Sequence, residues 1–349
     1  MEYTLVTGGL GFIGSHTVVQ LIENNYNIII VDNLSNSNVD VLESIKKICI
    51  CNDTNLLFFK CDITNLEDME NIFLNYTINN IIHFASFKSV SESISNPLIY
   101  YKNNIISTLN ILELCCKYKV NNFIFSSSAT VYGNQISPLV ETTDVGIGIT
   151  NPYGKTKYMI ENIIEDVYKS NTFTKFIILR YFNPVGAHSS GLIGESPKGI
   201  PNNLMPYILN VAIKNNINKD INEIYSTLKI YGNKYNTNDG TCIRDYIHVE
   251  DLASAHIKSI EYLNNNKNIK LDIFNIGTGK GTTVLEMVNT FCRVNNVIVP
   301  YEIENNRDGD IDCVYCNTTK SANILKWNAY KTLEDMCKNS YQYVLNNLK

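Results

Sequence analysis

The first 22 residues run from an apolar stretch through a turn of glycines into a helical pattern, and nothing else in the chain limits its fold as tightly. In T-L-V-T-G-G-L-G-F-I-G-S-H, Leu5 and Val6 belong to a short run of strand type, and Gly8, Gly11 and Gly14 follow at three-residue spacing. Val18, Val19, Leu21 and Ile22 then continue with helical periodicity. Strand, glycine turn and helix in that order are the context in which such glycines bind a dinucleotide. They permit a tight turn, let backbone approach a pyrophosphate, and let the helix pack close to the sheet. Helix N-terminal amides then face the phosphates. The competing reading is a structural glycine turn. A second strand, Ile28 to Val31, ends in Asp32, eighteen residues after Gly14. A carboxylate there accepts hydrogen bonds from an adenosine ribose and repels a 2′-phosphate, which favours NAD over NADP.

Further strands are expected at Leu56–Phe59, Asn80–Phe84, Asn122–Phe125 and Ile177–Leu179, alternating with helical patterns over 66–74, 103–118 and after Pro152. The predicted fold class is therefore α/β, a Rossmann-type doubly wound parallel sheet with ligand sites at the carboxyl strand ends. Gly8, Asp32, Asp62, Ala85 and Ser128 fall at five successive strand ends, and Asp62 could meet an adenine amine there. Beyond residue 186 the pattern is irregular and rich in Gly, Pro and Asn. The expected division is a dinucleotide-binding domain over 1–185, with 240–263 packing back onto it, and a smaller C-terminal substrate-binding α/β domain over 186–349. Segments 212–227 and 264–270 are polar and read as surface loops or helix ends.

Tyr153 and Lys157 stand four residues apart in N-P-Y-G-K-T-K. Pro152 suits a first helical turn, so both side chains should project from one face. A nearby cation favours the phenolate of a tyrosine. Moving a phenol from about 10 to roughly 7 takes about 4 kcal/mol. One lysine in water does not supply that, whereas a lysine together with a cofactor cation in a closed site could. The same spacing is common on ordinary amphipathic helices, so the pair depends on its context.

With 349 residues, a net charge of −5 and dispersed lysines, the chain shows no basic patch for nucleic acid or anionic membrane. No apolar run approaches a membrane span and no basic-then-apolar leader is present, so a cytoplasmic location is expected. Ten cysteines lack disulfide or zinc spacing, and the single C-x-x-C, Cys313 to Cys316, has no second half. His16 and His83 read as packing or capping residues; with His188, His248 and His256 dispersed, no metal site is expected.

Six further stretches fall in one order: V-D-N-L-S-N-S, F-S-S-S-A-T-V-Y-G, N-P-Y-G-K-T-K, L-R-Y-F-N-P-V-G-A-H, G-I-P-N-N-L-M-P-Y and R-D-Y-I-H-V-E-D-L-A, after the glycine motif. On these, over essentially its whole length, the chain resembles the extended short-chain dehydrogenase/reductase superfamily and, within it, the UDP-glucose 4-epimerase family. The resemblance implies that Tyr153 takes the proton from the sugar 4-hydroxyl while hydride leaves C4 for NAD. Lys157 would hold the nicotinamide ribose and keep the tyrosine pKa down, and Ser128 would bond the reacting oxygen. Hydride returned to the opposite face of a 4-keto sugar would interconvert UDP-galactose and UDP-glucose. The matching cofactor positions are Gly8, Gly11, Phe12, Ile13, Gly14, Asp32, Asn33, Asn36, Asp62, Ile63, Phe84, Ala85, Lys88, Asn103 and Tyr181. For the UDP-sugar they are Asn183, Asn202, Asn203, Leu204, Tyr231, Arg244, Arg307, Asp310 and Val314. The guanidinium forks of Arg244 and Arg307 suit a pyrophosphate. The resemblance also implies a homodimer through a helix pair including 98–117.

Two positions depart from the family pattern. Ser86 stands where many such enzymes have glycine. Val314 is small where a tyrosine goes with a tight sugar pocket, and a small residue goes with acceptance of UDP-N-acetylhexosamines. A 4,6-dehydratase would need an acid beside Ser128, but Ala129 and Thr130 follow it. A net oxidoreductase would release reduced cofactor, and a non-catalytic NAD-binding protein would not need Tyr153, Lys157 and Ser128 together.

Overall fold

Strand and helix alternate through the first half of the computed structural model: β1 (Glu2–Thr7), α1 (Phe12–Glu23), β2 (Ile28–Asp32), α2 (Asp40–Cys49), β3 (Leu56–Lys60), α3 (Leu66–Asn75), β4 (Thr77–His83), α4 (Val90–Ser95), α5 (Pro97–Lys117), β5 (Asn122–Ser128), α6 (Pro152–Ser170) and β6 (Lys175–Tyr181). The second half carries β7 (Asn183–Val185), α7 (Leu204–Ile217), β8 (Leu228–Tyr231), β9 (Ile243–Arg244), β10 (Tyr246–His248), α8 (Val249–Asn265), β11 (Leu271–Ile276), β12 (Thr282–Thr283), α9 (Val284–Asn295), β13 (Tyr301–Glu304), β14 (Cys313–Val314) and α10 (Leu333–Asn346). The structure describes residues 1–348 except 51–54, 171–172, 200, 202, 218–224, 267 and 307–309.

Seven strands form one parallel sheet in the order β11-β6-β5-β4-β1-β2-β3. Its central strands are covered on both faces, which is why β2 reads as an unbroken apolar run. Ile28 and Ile30 point into the core shared with Val18 and Val19 of α1 and Leu252 and Ile260 of α8. Ile29 and Val31 point the other way, toward Met69 of α3, Ile111 of α5 and Ile160 of α6. From β1 the chain steps outward through β2 to β3, then returns to place β4 on the other side of β1. Strand order reverses there, and a crevice opens at the carboxyl ends of β1 and β4.

The division at 185/186 needs amending. Strand β11 joins the large sheet by pairing with β6 from Leu271↔Phe176 to Ile276↔Tyr181. Without it the buried edge of β6 would lack partners for its amides and carbonyls. The remaining elements gather a separate core from Ile208 and Leu209 of α7, Ile230 of β8, Phe291 of α9 and Tyr341 of α10. Three small pairings stitch this part together: β10 with β7, β13 with β8, and β12-β9-β14. The segment 212–227 is less superficial than its polarity implies: Ala212 and Ile213 are buried in the last turns of α7, and Tyr225 enters the same core. Residues 218–224 of it lie outside the described residues. Among the described residues, no helix is long and apolar enough to cross a membrane.

Candidate active site

The glycine turn is a close-packed device. Gly8 has φ +68°, and its amide donates to Val31 O at 2.7 Å, so the turn leaves β1 while still tied to β2. A Cβ on Gly14 would stand 2.2 Å from Gly8 O, so only glycine lets α1 start this close to the turn. Gly11 caps α1 without a side-chain bond, and Phe12 and Ile13 open the helix. The first-turn amides are therefore left to an anion, and this cradle fits the pyrophosphate of a dinucleotide.

Asp32 joins the turn to the loop after β2. Its carboxylate accepts from Leu10 N at 3.1 Å, Leu34 N at 2.9 Å and Ser37 Oγ at 2.7 Å, which leaves part of its accepting capacity for a ribose. Asn33 donates to Asp62 at 3.1 Å, while Asn36 is exposed on the same loop. Burial opposes ionisation of Asp62, but bonds from Thr64 and Asn33 outweigh it and hold the carboxyl below its ordinary pKa. Ile63 beside it is buried. At the end of β4, Ala85 N donates to Thr7 Oγ1 at 3.3 Å, and the Phe84 ring lies 4.8 Å from His256. Lys88 reaches Glu195 at 3.0 Å and sits 5.8 Å from the Phe12 ring centroid. Asn103 donates to Asn104 at 3.1 Å. Asn104, fully buried and unforeseen in the sequence, bonds both backbone groups of Phe87 and Thr156 Oγ1, and so fixes the β4–α4 loop to α5 and α6.

Helix α6 brings Tyr153 and Lys157 against the end of β5. Asn151 caps its start by accepting from Gly154 N at 2.8 Å. Ser128 Oγ accepts from Thr130 N at 3.2 Å and Thr130 Oγ1 at 3.0 Å, so its own proton is turned to the Tyr153 oxygen it bonds. Lys157 Nζ donates to Ser126 O at 2.7 Å and Ser86 Oγ at 2.9 Å. It lies 5.9 Å from the Tyr153 ring centroid and 4.8 Å from that of Phe125. Burial pushes the Tyr153 phenol up and the Ser128 bond pulls it back. Burial also lowers Lys157 to about 7, against the pull of Glu161. The lysine alone therefore does not make Tyr153 a strong acid, and a cofactor cation would supply the remaining field.

Tyr181 ends β6 and donates to His256 Nε2 at 2.5 Å, because His256 Nδ1 is committed to Leu252 O at 2.9 Å. His16 and His83 are buried packing residues. His16 bonds Phe12 O at 2.7 Å, His83 bridges Thr7 Oγ1 at 2.8 Å and Thr108 Oγ1 at 3.1 Å, and burial lowers both to about 3.

On the other side of the crevice, Asn183 donates to Asp245 O from its backbone at 2.9 Å and from Nδ2 at 3.2 Å. Arg244 donates to Ile243 O and Ile311 O, both at 2.8 Å, and pairs with Asp310 at 3.2 Å. Val314 lies opposite Arg244 in the β9–β14 pairing and packs on the cluster of Tyr132, Leu139 and Phe182. Asn203 donates to Glu195 at 2.8 Å, Leu204 starts α7, and Tyr231 ends β8. Asn202 and Arg307 lie outside the described residues. Among the described residues, no group of three or more His, Cys, Asp and Glu could hold a metal ion.

A parallel sheet with a glycine turn after β1, a carboxylate after β2 and a Tyr–Lys pair facing a serine defines a dinucleotide-binding α/β protein of the short-chain dehydrogenase type. Residues 4–277 match the model of the NAD dependent epimerase/dehydratase family, and the chain belongs to that family. It is 43% identical over 352 residues to a UDP-glucose 4-epimerase of Caenorhabditis elegans, covering 99% of this chain and 98% of that one. It is 44% identical over 345 residues to a UDP-glucose 4-epimerase of Bacillus subtilis, covering 99% and 97%. The crystal structure of a UDP-glucose 4-epimerase from Bifidobacterium longum, in complex with NAD+ and UDP, is 40% identical and superposes with a TM-score of 0.91 over 99% of each chain.

Proposed function

We infer that the chain interconverts UDP-galactose and UDP-glucose by inversion at C4, with NAD as its cofactor. The observation that carries this is Tyr153, Lys157 and Ser128 converging at the carboxyl end of β5 in a chain similar over its full length to such epimerases. NAD, when bound, supplies the acceptor and donor of the C4 hydride. The protein's own work is to move a proton and hold the sugar. Tyr153 is the base for the 4-hydroxyl, and the serine proton directed at its oxygen favours the phenolate. Lys157, anchored by Ser126 and Ser86, contributes positive charge beneath the pair. Gly8, Gly11 and Gly14 with the α1 amides hold the pyrophosphate of the cofactor, and Asp32 its adenosine ribose. Arg244 presents a cation for the UDP pyrophosphate, and Asn183 an amide for the sugar. With Ala129 and Thr130 after Ser128, the acid that elimination would require is absent from that position, so the sugar leaves as an epimer.

Val314 supports a wider substrate range. It is half-buried beside Arg244 and carries no hydroxyl or ring, so it brings less bulk to that position than a tyrosine would, which favours tolerance of a 2-acetamido group. We place UDP-N-acetylglucosamine and UDP-N-acetylgalactosamine among the substrates on that ground. A homodimer is supported by α5, whose Leu98, Ile99, Ile106 and Leu109 are exposed along its outer face. A cytoplasmic location is supported by the absence of any disulfide among the described cysteines.

The deciding experiment is purification followed by release and quantitation of NAD, with UDP-galactose conversion read through a coupled UDP-glucose assay. Retained NAD and turnover without net NADH are expected; steady NADH accumulation would make the protein an oxidoreductase. Incubation with UDP-N-acetylglucosamine in parallel should yield its 4-epimer, and none would remove the acetamido sugars. Sedimentation of the same preparation should give twice the chain mass.

A further inference from the structure

Behind the Tyr–Lys pair, α6 carries a third polar side chain on the same face. Glu161 follows Lys157 by four residues, as Lys157 follows Tyr153, and this spacing stacks the three one turn apart. Three successive residues of β5 hold them. Ser128 bonds Tyr153, Ser126 O accepts from Lys157 at 2.7 Å, and Ser127 Oγ donates to Glu161 Oε1 at 2.5 Å. Arg180, from β6, grips both carboxylate oxygens of Glu161, Nε to Oε1 at 3.1 Å and Nη2 to Oε2 at 2.7 Å. Its Nη1 donates to Tyr132 Oη at 2.9 Å and Glu141 O at 3.2 Å. Both side chains of the pair are almost wholly buried, at 3% and 6% exposure.

A buried ion pair is poor evidence for stability, because well-packed apolar residues of similar volume often do as well or better. The surroundings of Lys157 offer a different use. Its ammonium faces the Ser86 hydroxyl from the β4–α4 loop, Ser126 and the Phe125 ring from β5, and Tyr153 from its own helix. His83 stands nearby on β4 and is neutral, and α5 reaches this turn of α6 through the amide of Asn104. Burial strips charge from the lysine, and the carboxylate of Glu161 opposes that loss.

We propose that Glu161, clamped by Arg180 and Ser127, is a positioning residue that keeps the Lys157 ammonium charged and in register with Tyr153. The proposal rests on the reading that Tyr153 and Lys157 are the working pair. Its first test does not need turnover: lysine-labelled protein is titrated by NMR, with the Lys157 signal identified by its loss in Lys157→Met. In Glu161→Gln the Lys157 midpoint should move to lower pH, and in Glu161→Asp it should stay near the native one. In turnover, Glu161→Gln should lose about tenfold in kcat at neutral pH, with the loss deepening as pH rises and Glu161→Asp recovering most of it. Because Glu161→Gln strands Arg180 as a buried unpaired cation, Glu161→Gln/Arg180→Met serves as the folding control. It lacks the carboxylate and the cation together, so its midpoint should lie below the native one but above that of Glu161→Gln. An unmoved midpoint in folded variants, a kcat loss equal at every pH, or failure of both variants to fold would assign the pair to structure alone and overturn the proposal. Should the native protein not interconvert the UDP-sugars, the functional reading falls while the NMR titration still judges the charge assignment.

Discussion

Tyr153, Lys157 and Ser128 were legible because each sits in a local pattern: a helical i,i+4 pair after Pro152, and a serine at a strand end. Ser86, Asn104, Glu161 and His256 were not, because nothing near them in sequence marks the partner each meets in space. Ser86 shows the difference well. Read along the chain it is an extra hydroxymethyl group after Phe84 and Ala85; in the fold it accepts a hydrogen bond from Lys157 at 2.9 Å. The residue-scale prediction concerns the phenol. Tyr153→Phe removes one oxygen, keeps the ring between Ser128 and Lys157, and leaves the glycine turn untouched. Turnover of UDP-galactose should fall about a thousandfold, in the range of a lost general base. NAD measured after gel filtration should remain at the native level. Turnover within a few-fold of native would mean that the base is another group.

Between elements, the turn joining β1 to α1 was readable in full, since strand, glycines and helix are contiguous. Strand β11 was not. Its L-D-I-F-N-I follows a long excursion through α7 to α8, and no local signal says that it returns to the first sheet. Its place is decided by the open edge of β6, a feature of the assembled sheet. Where the elements meet most closely, a single methyl group should be felt. In Gly14→Ala the new Cβ would lie 2.2 Å from Gly8 O and 2.9 Å from Gly9 Cα, both backbone atoms that no rotamer change can move away. Helix α1 must withdraw from the turn, with a stability loss of about 2 kcal/mol, typical of overpacking. The larger effect should be on cofactor, because withdrawal would move the α1 amides out of the cradle proposed for the pyrophosphate. Co-purified NAD should drop to a small fraction of native, while far-ultraviolet circular dichroism keeps its native shape. Native NAD content in this variant would show that the turn has slack.

Across the whole molecule, the burial that builds the two-faced sheet also sets how the protein responds to acid. His16 and His83 are held neutral inside it at about 3, and His256 at about 4, all lowered mainly by burial. The folded pKa of each lies below the unfolded value of about 6.5, so between these limits the unfolded chain binds more protons than the folded one. Their stabilising effect is complete above about pH 6.5 and is lost as pH falls toward the folded values. Near pH 4 a histidine shifted from about 6.5 to about 3 has cost about 3 kcal/mol, and three of them rival the stability of an ordinary domain. Asp251 works in the opposite sense. Burial raises it to about 6 despite bonds from the Tyr330 and Lys331 amides, so it destabilises at neutral pH and gains as pH falls from about 6 toward its unfolded value. One carboxyl against three imidazoles leaves a net loss. Lys157, lowered by burial to about 7, adds to this at higher pH, because the unfolded chain holds that proton where the folded one has released it. Melting temperature should therefore decline gently from about pH 8 to 7 and fall steeply below about pH 6. His83→Gln keeps hydrogen-bonding capacity toward Thr7 and Thr108 without a titrating ring, and should make that fall shallower even if the variant melts lower at neutral pH. An acid limb of unchanged steepness in His83→Gln would place the sensitivity in other groups.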